Sequence, residues 1–180
     1  MYDLHSILIQ LKKEDTPLHG VMVRCVRCFY QWLDPTLWEG SALFELWAQE
    51  LELIYGDLRQ RLSPNAKTDA GSLGDRFGFD TPPELPRLLQ SIQTFYSVLI
   101  KLIAWNTLRG ATPEPPLTEL LSGRAFVNRG IRNFCGDDWY IWPLDIWDPA
   151  LETQCEELRA CLKSFDTCPE GSTLSPDSLS

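Results

Sequence analysis

The 24 residues LPRLLQSIQTFYSVLIKLIAWNTL, positions 85–108, can bury their side chains only as a helix. Ile92, Phe95, Tyr96, Leu99, Leu102, Ile103 and Leu108 recur at helical spacing, and Val98, Ile100 and Trp105 widen that face nearly all round. A helix apolar on most sides belongs at the centre of a packed domain. Gly110 supplies the usual stop, and Pro113, Pro115 and Pro116 forbid continuation. The most apolar run, 98–105, is interrupted by Lys101 and falls short of the roughly 20 residues that cross a bilayer. The pattern predicts a core helix, with no membrane involved.

Other segments repeat the helical period. Leu4, Ile7, Leu8 and Leu11 mark a short first helix. Thr16-Pro17 opens a second: Thr caps the free amides, and Pro sits where its missing donor costs nothing. Its stripe is Leu18, Met22, Cys25, Phe29, Trp32 and Leu33, and Asp34-Pro35 ends it. A third is expected over about 41–62, with Leu43, Phe44, Trp47, Leu51, Ile54, Tyr55, Leu58 and Leu62 on one face. Residues 63–84, rich in Gly, Pro and turn formers, read as a long surface connection. Asp148-Pro149 caps a last helix carrying Leu151, Cys155, Leu158, Leu162 and Phe165. The extended piece that 141–146 would make contains Pro143, and no run alternates with period two. The fold class is all-α: a single domain over residues 1–166, of about five or six helices around helix 85–108, with irregular loops. Residues 167–180 have no apolar period and read as a flexible tail or linker.

With 25 Asp/Glu against 16 Lys/Arg, the net charge is -9, which argues against coating nucleic acid through overall charge. Charge is nevertheless uneven. Residues 123–134 hold three Arg (124, 129 and 132) and no acid. The N-terminus lacks the basic and apolar regions of a secretory signal, so a cytoplasmic chain with reduced thiols is expected. The six Cys (25, 28, 135, 155, 161 and 168), with only His5 and His19, match no zinc template.

Common catalytic arrangements are missing. There is no Gly-x4-Gly-Lys-Ser/Thr phosphate cradle and no Gly-x-Ser-x-Gly elbow. Arg76-Phe77-Gly78-Phe79 follows no strand and makes no dinucleotide fingerprint. The pair Asp137-Asp138 lacks the further acids of a cation loop. No catalytic, cofactor-binding or metal residue is assigned.

Two blocks carry a resemblance. The first is Gln93-Thr94-Phe95-Tyr96-Ser97-Val98-Leu99-Ile100-Lys101-Leu102-Ile103-Ala104. The second is Gly123-Arg124-Ala125-Phe126-Val127-Asn128-Arg129-Gly130-Ile131-Arg132-Asn133-Phe134, continuing through Gly136-Asp137-Asp138-Trp139 and Trp142 to Trp147-Asp148. Together they resemble the helical region preceding the catalytic domain in large adenine-specific DNA methyltransferases of bacterial restriction-modification and phage-defence systems. That family shows His-Thr-Tyr…Leu-x-Lys-Leu-x-Ala, then Gly-x-x-Phe…Gly-Ile-x-Asn-Phe…Gly-Asp…Trp. The upstream Phe44…Trp47…Ile54-Tyr55-Gly56 fits as well, so the likeness runs over about residues 41–166. Gln93 stands where the family has His, and Asp138-Trp139 where it has an aromatic pair.

The family's Asn-Pro-Pro-Tyr/Phe tetrapeptide and Gly-rich S-adenosylmethionine loop are not in these 180 residues. The resemblance therefore implies a non-catalytic N-terminal piece. S-adenosylmethionine would belong to the parent protein, the partner would be a catalytic domain in the same chain or a separate subunit, and DNA would be reached through that parent. Arg124, Arg129 and Arg132 are the candidate DNA or domain contact, the other readings being plain solvated surface or internal pairing with Asp137, Asp138 or Asp145. Lys101, Gly130, Asn133, Phe134, Asp137 and Trp142 form the structural motif. From the residues themselves, Lys101 is expected to reach water or a carboxylate such as Asp137, Asp138 or Asp145, and Phe126, Ile131, Phe134, Trp139 and Trp142 to pin their loop onto the central helix. The rival reading is a stand-alone acidic all-α adaptor or inhibitor whose target is another protein.

Overall fold

A computed structural model describes residues 4–33, 45–50, 66–108, 110, 112–135 and 140–165, with side chains omitted for 66–70. The helices are α1 (Leu4–Lys12), α2 (Pro17–Trp32), α3 (Ala66–Arg76), α4 (Leu85–Leu108), α5 (Leu117–Leu121), α6 (Arg124–Val127) and α7 (Pro149–Lys163). A 3₁₀ turn, Trp142–Leu144, occupies the stretch around Pro143. Residues 45–50 are also helical, and the rest of the helix expected over 41–62 lies outside the described residues. No strand occurs among the described residues, so the protein is all-α.

The local signals act as the chain chemistry requires. Thr16 accepts from the amide of His19 at 3.2 Å, and Asp148 from that of Ala150 at 2.7 Å, each with Pro at the first position of its helix. Beyond the end of α4, Gly110 takes the left-handed conformation (φ +55°) that only Gly adopts readily. At the other end of the bundle, Arg87 from α4 donates to the carbonyls of Tyr30 and Gln31 at 2.6 and 3.2 Å. It thereby satisfies two free acceptors at the end of α2, where a cation is also favoured by the helix dipole.

One buried cluster runs from Ile7 to Phe165. Its middle is shared: α2 packs against both α4 and α7, and α1 lies on α2. Helix α4 is less enclosed than its composition suggests. Leu88, Phe95, Val98, Leu99, Leu102 and Trp105 are buried, but Tyr96 is 42% and Ile100 54% exposed. The apolar girth of α4 thus exceeds the surface its neighbours cover. By length and composition α4 is long enough to cross a membrane, yet 56% of its most apolar window is buried within the fold.

The surface connection expected over 63–84 is corrected in part, because α3 occupies 66–76. Its end explains how a sequence with two glycines stays helical. The amide of Phe79 donates to the carbonyl of Gly74 (3.1 Å) and that of Gly78 to Asp75 (3.0 Å), with Gly78 at φ +67°. This paired pattern is the Schellman ending, with Gly at its left-handed position. Phe77, just past the helix, is buried in the core and anchors the turn.

Candidate functional site

The two motif blocks meet as one packed unit. Thr94, in α4, accepts a 3.0 Å hydrogen bond from the indole Nε1 of Trp142, which is fully buried and edge-on to Phe29 of α2. One residue earlier, Gln93 Oε1 accepts from the Tyr140 hydroxyl at 2.7 Å. Further along α4, Trp105 packs edge-to-face on Phe126 with ring centroids 5.9 Å apart, and Phe126 lies 4.4 Å from Phe134. Ile131 is half-buried against the same cluster. The aromatic residues therefore pin the second block to α4 as expected, while Gly136, Asp137, Asp138 and Trp139 lie outside the described residues.

For Lys101, expected to reach water or a carboxylate such as Asp137, Asp138 or Asp145, the structure shows a main-chain acceptor, while Asp137 and Asp138 lie outside the described residues. Lys101 is 3% exposed, and its ammonium donates to the main-chain carbonyl of Leu121 at 2.8 Å, at the end of α5. A carbonyl left free by a helix ending is a natural acceptor for a cation, since it also carries the negative end of the helix dipole. The lysine that interrupts the apolar face thus ties α4 to α5.

Two glycines shape the second block. Gly123, at φ +80°, begins α6 with its α-carbon against the main chain of Phe134; a Cβ there would sit 2.1 Å from that carbonyl oxygen. Gly130, at φ +78°, faces open space. It closes α6 as Gly78 closes α3: the amides of Ile131 and Gly130 donate to Phe126 (3.1 Å) and Val127 (2.9 Å). Asn133 is exposed in the following turn.

The three arginines are not equivalent. Arg129 donates to the Leu108 carbonyl and the Thr112 hydroxyl, and its guanidinium lies 5.3 Å from the Trp105 ring centroid. It closes the end of α4 and covers a core tryptophan. All three are exposed, Arg124 in the first turn of α6 and Arg132 beyond Gly130, so what sets Arg129 apart is what it bonds and covers. Sequence spacing alone could not separate these roles, because the partners of Arg129 lie 17 and 21 residues away.

Among the described residues, no group of three or more His, Cys, Asp or Glu is placed to hold a metal ion. His19 is buried, with Nδ1 3.0 Å from the Leu11 carbonyl, which gives it a packing role. Burial pushes the Cys25 thiol well up, Cys28 to about 11 and Cys155 to about 12; the Asp148 carboxylate adds to the effect at Cys28, and neighbouring thiols add to it at Cys25 and Cys155. Thiols held neutral in this way are poor nucleophiles and poor metal ligands.

No family model matches this chain, and no curated protein or solved structure matches it either.

Proposed function

We propose that the chain is the non-catalytic N-terminal helical region of an adenine-specific DNA methyltransferase serving restriction-modification or phage defence. In this reading it acts in the cytoplasm and positions DNA or a catalytic domain for a parent protein that uses S-adenosylmethionine. The observation that supports it is the packing of the two motif blocks: Thr94 with Trp142, Gln93 with Tyr140, and Trp105 with Phe126. Residues that define the resemblance from separate stretches serve one scaffold. Gln93, standing where the family has His, accepts a hydrogen bond from within the second block.

In this reading Arg124 and Arg132, exposed on that scaffold, would meet phosphate or a carboxylate of the catalytic domain. Arg129 contributes by holding the loop. The deciding experiment is to read the coding sequence of the locus and co-express its methyltransferase with this chain. An Asn-Pro-Pro-Tyr/Phe catalytic module in the same or an adjacent frame, whose DNA binding weakens uniformly on Arg124→Gln/Arg132→Gln, supports the reading. The salt dependence should also become shallower, by about one unit of slope for each arginine–phosphate pair removed. Absence of such a module from the locus overturns it.

The alternative is a stand-alone acidic adaptor or inhibitor. The observation favouring it is the set of large apolar side chains left exposed on α1 and α4, chiefly Leu4, Leu8, Tyr96 and Ile100.

A further inference from the structure

Helices α1, α3 and α4 do not close completely over α2. Between them runs an open groove of about 280 Å³, walled by Leu8, Leu73 and Tyr96 and floored by Met22 and Phe77. The apolar surface extends past the groove. Leu4 lies one turn before Leu8 and Ile100 one turn after Tyr96; Leu4 is 55%, Leu8 56%, Tyr96 42% and Ile100 54% exposed. Pairs spaced by four residues stand on one face of a helix, so α1 and α4 each present an apolar ridge beside the groove. The volume falls just below the roughly 300–1,000 Å³ of small-molecule sites, and the groove is open rather than enclosing. It suits a few inserted side chains.

Among the described residues, the charged ones lining the groove are Lys12 and Arg76, both cations and both exposed, in a chain of net charge -9. We infer that this groove docks an amphipathic helix of a partner protein whose apolar stripe is flanked by Asp or Glu. Leucine-type side chains at i, i+3/i+4 and i+7 would fill the slot, and the flanking carboxylates would pair with Lys12 and Arg76, the helix-in-groove mode of recognition. Local charge complementarity is what selects an acidic helix. The net charge of the whole molecule would favour a basic one. The inference rests on the groove alone and is independent of the methyltransferase reading.

The test uses the full chain and two fluorescein-labelled synthetic peptides with the same leucine heptads, one flanked by Glu and the other by Lys. Fluorescence anisotropy should show saturable binding of the Glu peptide in preference to the Lys peptide. Leu8→Glu and Tyr96→Glu should each weaken it by roughly tenfold or more, the loss expected when a charge enters an apolar contact. Leu8 is more than half exposed, so the Leu8 variants should keep the melting temperature; Tyr96 packs edge-on to Phe95, so its variants should lower it while staying folded at the assay temperature, and Leu8→Ser and Tyr96→Ser give the same binding result without an added charge. Lys12→Glu/Arg76→Glu should reverse the preference between the peptides. Three results overturn the inference: no saturable binding, preference of the unmodified chain for the Lys peptide, or a concentration-dependent dimer abolished by Leu8→Glu. The last would assign the groove to a second copy of this chain.

Discussion

Replacing Gly123 by Ala should be among the most damaging single-methyl additions this fold can receive. Two independent terms contribute. The residue sits at φ +80°, where an L side chain costs about 1–2 kcal/mol. The new Cβ would also lie 2.1 Å from the Phe134 carbonyl oxygen, 2.5 Å from its carbon and 2.7 Å from Cys135 Sγ. A main-chain carbonyl cannot swing aside as a flexible side chain can, so the loop must lift and draw Phe134 off Phe126. Overpacking of this kind costs about 1–3 kcal/mol, for a total of about 2–5 kcal/mol. In a chain of this size each kcal/mol is worth about 2–4 °C, so the melting temperature should fall by something on the order of 10 °C.

Two controls separate the terms. Gly130→Ala shares the left-handed backbone (φ +78°) but meets nothing within 4 Å, so it should lose only the strain, about 1–2 kcal/mol. Gly71→Ala, inside α3 and also facing open space, should be neutral or stabilising by up to about 1 kcal/mol, because it removes chain freedom from the unfolded state. Urea titrations of the three variants, followed by far-ultraviolet circular dichroism, measure the series directly. Equal losses at Gly123 and Gly130 would refute the close approach of Phe134. A loss below about 1 kcal/mol at Gly123 would refute the left-handed conformation as well.

Other consequences are open to the same assays. Trp142→Phe keeps most of the buried ring but loses the bond to Thr94 and should cost about 1 kcal/mol. Trp142→Ala should cost about 3–5 kcal/mol and Leu99→Ala about 2–5, the range for emptied core sites. Arg129→Gln should lower stability by about 1–2 kcal/mol as its ring and helix-end interactions disappear. Arg124→Gln and Arg132→Gln should stay within about 0.5 kcal/mol, and equal costs for all three would refute the distinction drawn between them. Burial raises the folded-state values of Cys25, Cys28 and Cys155 above the unfolded thiol value, so their contribution is fully present below about pH 8.5, and the share of Cys28 and Cys155 is lost as pH rises through about 11 and about 12. Urea midpoints should therefore decline above about pH 8.5, less steeply in Cys28→Ala/Cys155→Ala, and an unchanged slope would contradict the burial of these thiols.

Features that depend on near neighbours in the chain follow from the residue order alone. Helix α4 has the bounds its apolar period and flanking stops imply, and Thr16 and Asp148 cap the helices they precede. Such signals are carried by bonds spanning two to four residues, so composition and spacing suffice to read them. The signal for α3 is present too, in Arg76-Phe77-Gly78, but its two glycines and surrounding turn formers outweigh it on propensity. The buried anchor of Phe77 and the Schellman turn settle that segment. Packing between distant elements brought the Leu121 carbonyl to Lys101, set Arg129 apart from Arg124 and Arg132, and left Tyr96 and Ile100 exposed. Each of these depends on which element arrives from 17 or more residues away. An apolar residue or a cation states in sequence only that it needs a partner; the packing of α2, α5 and α7 against α4 determines which partner it gets, because a helix surface is covered only where a neighbour fits.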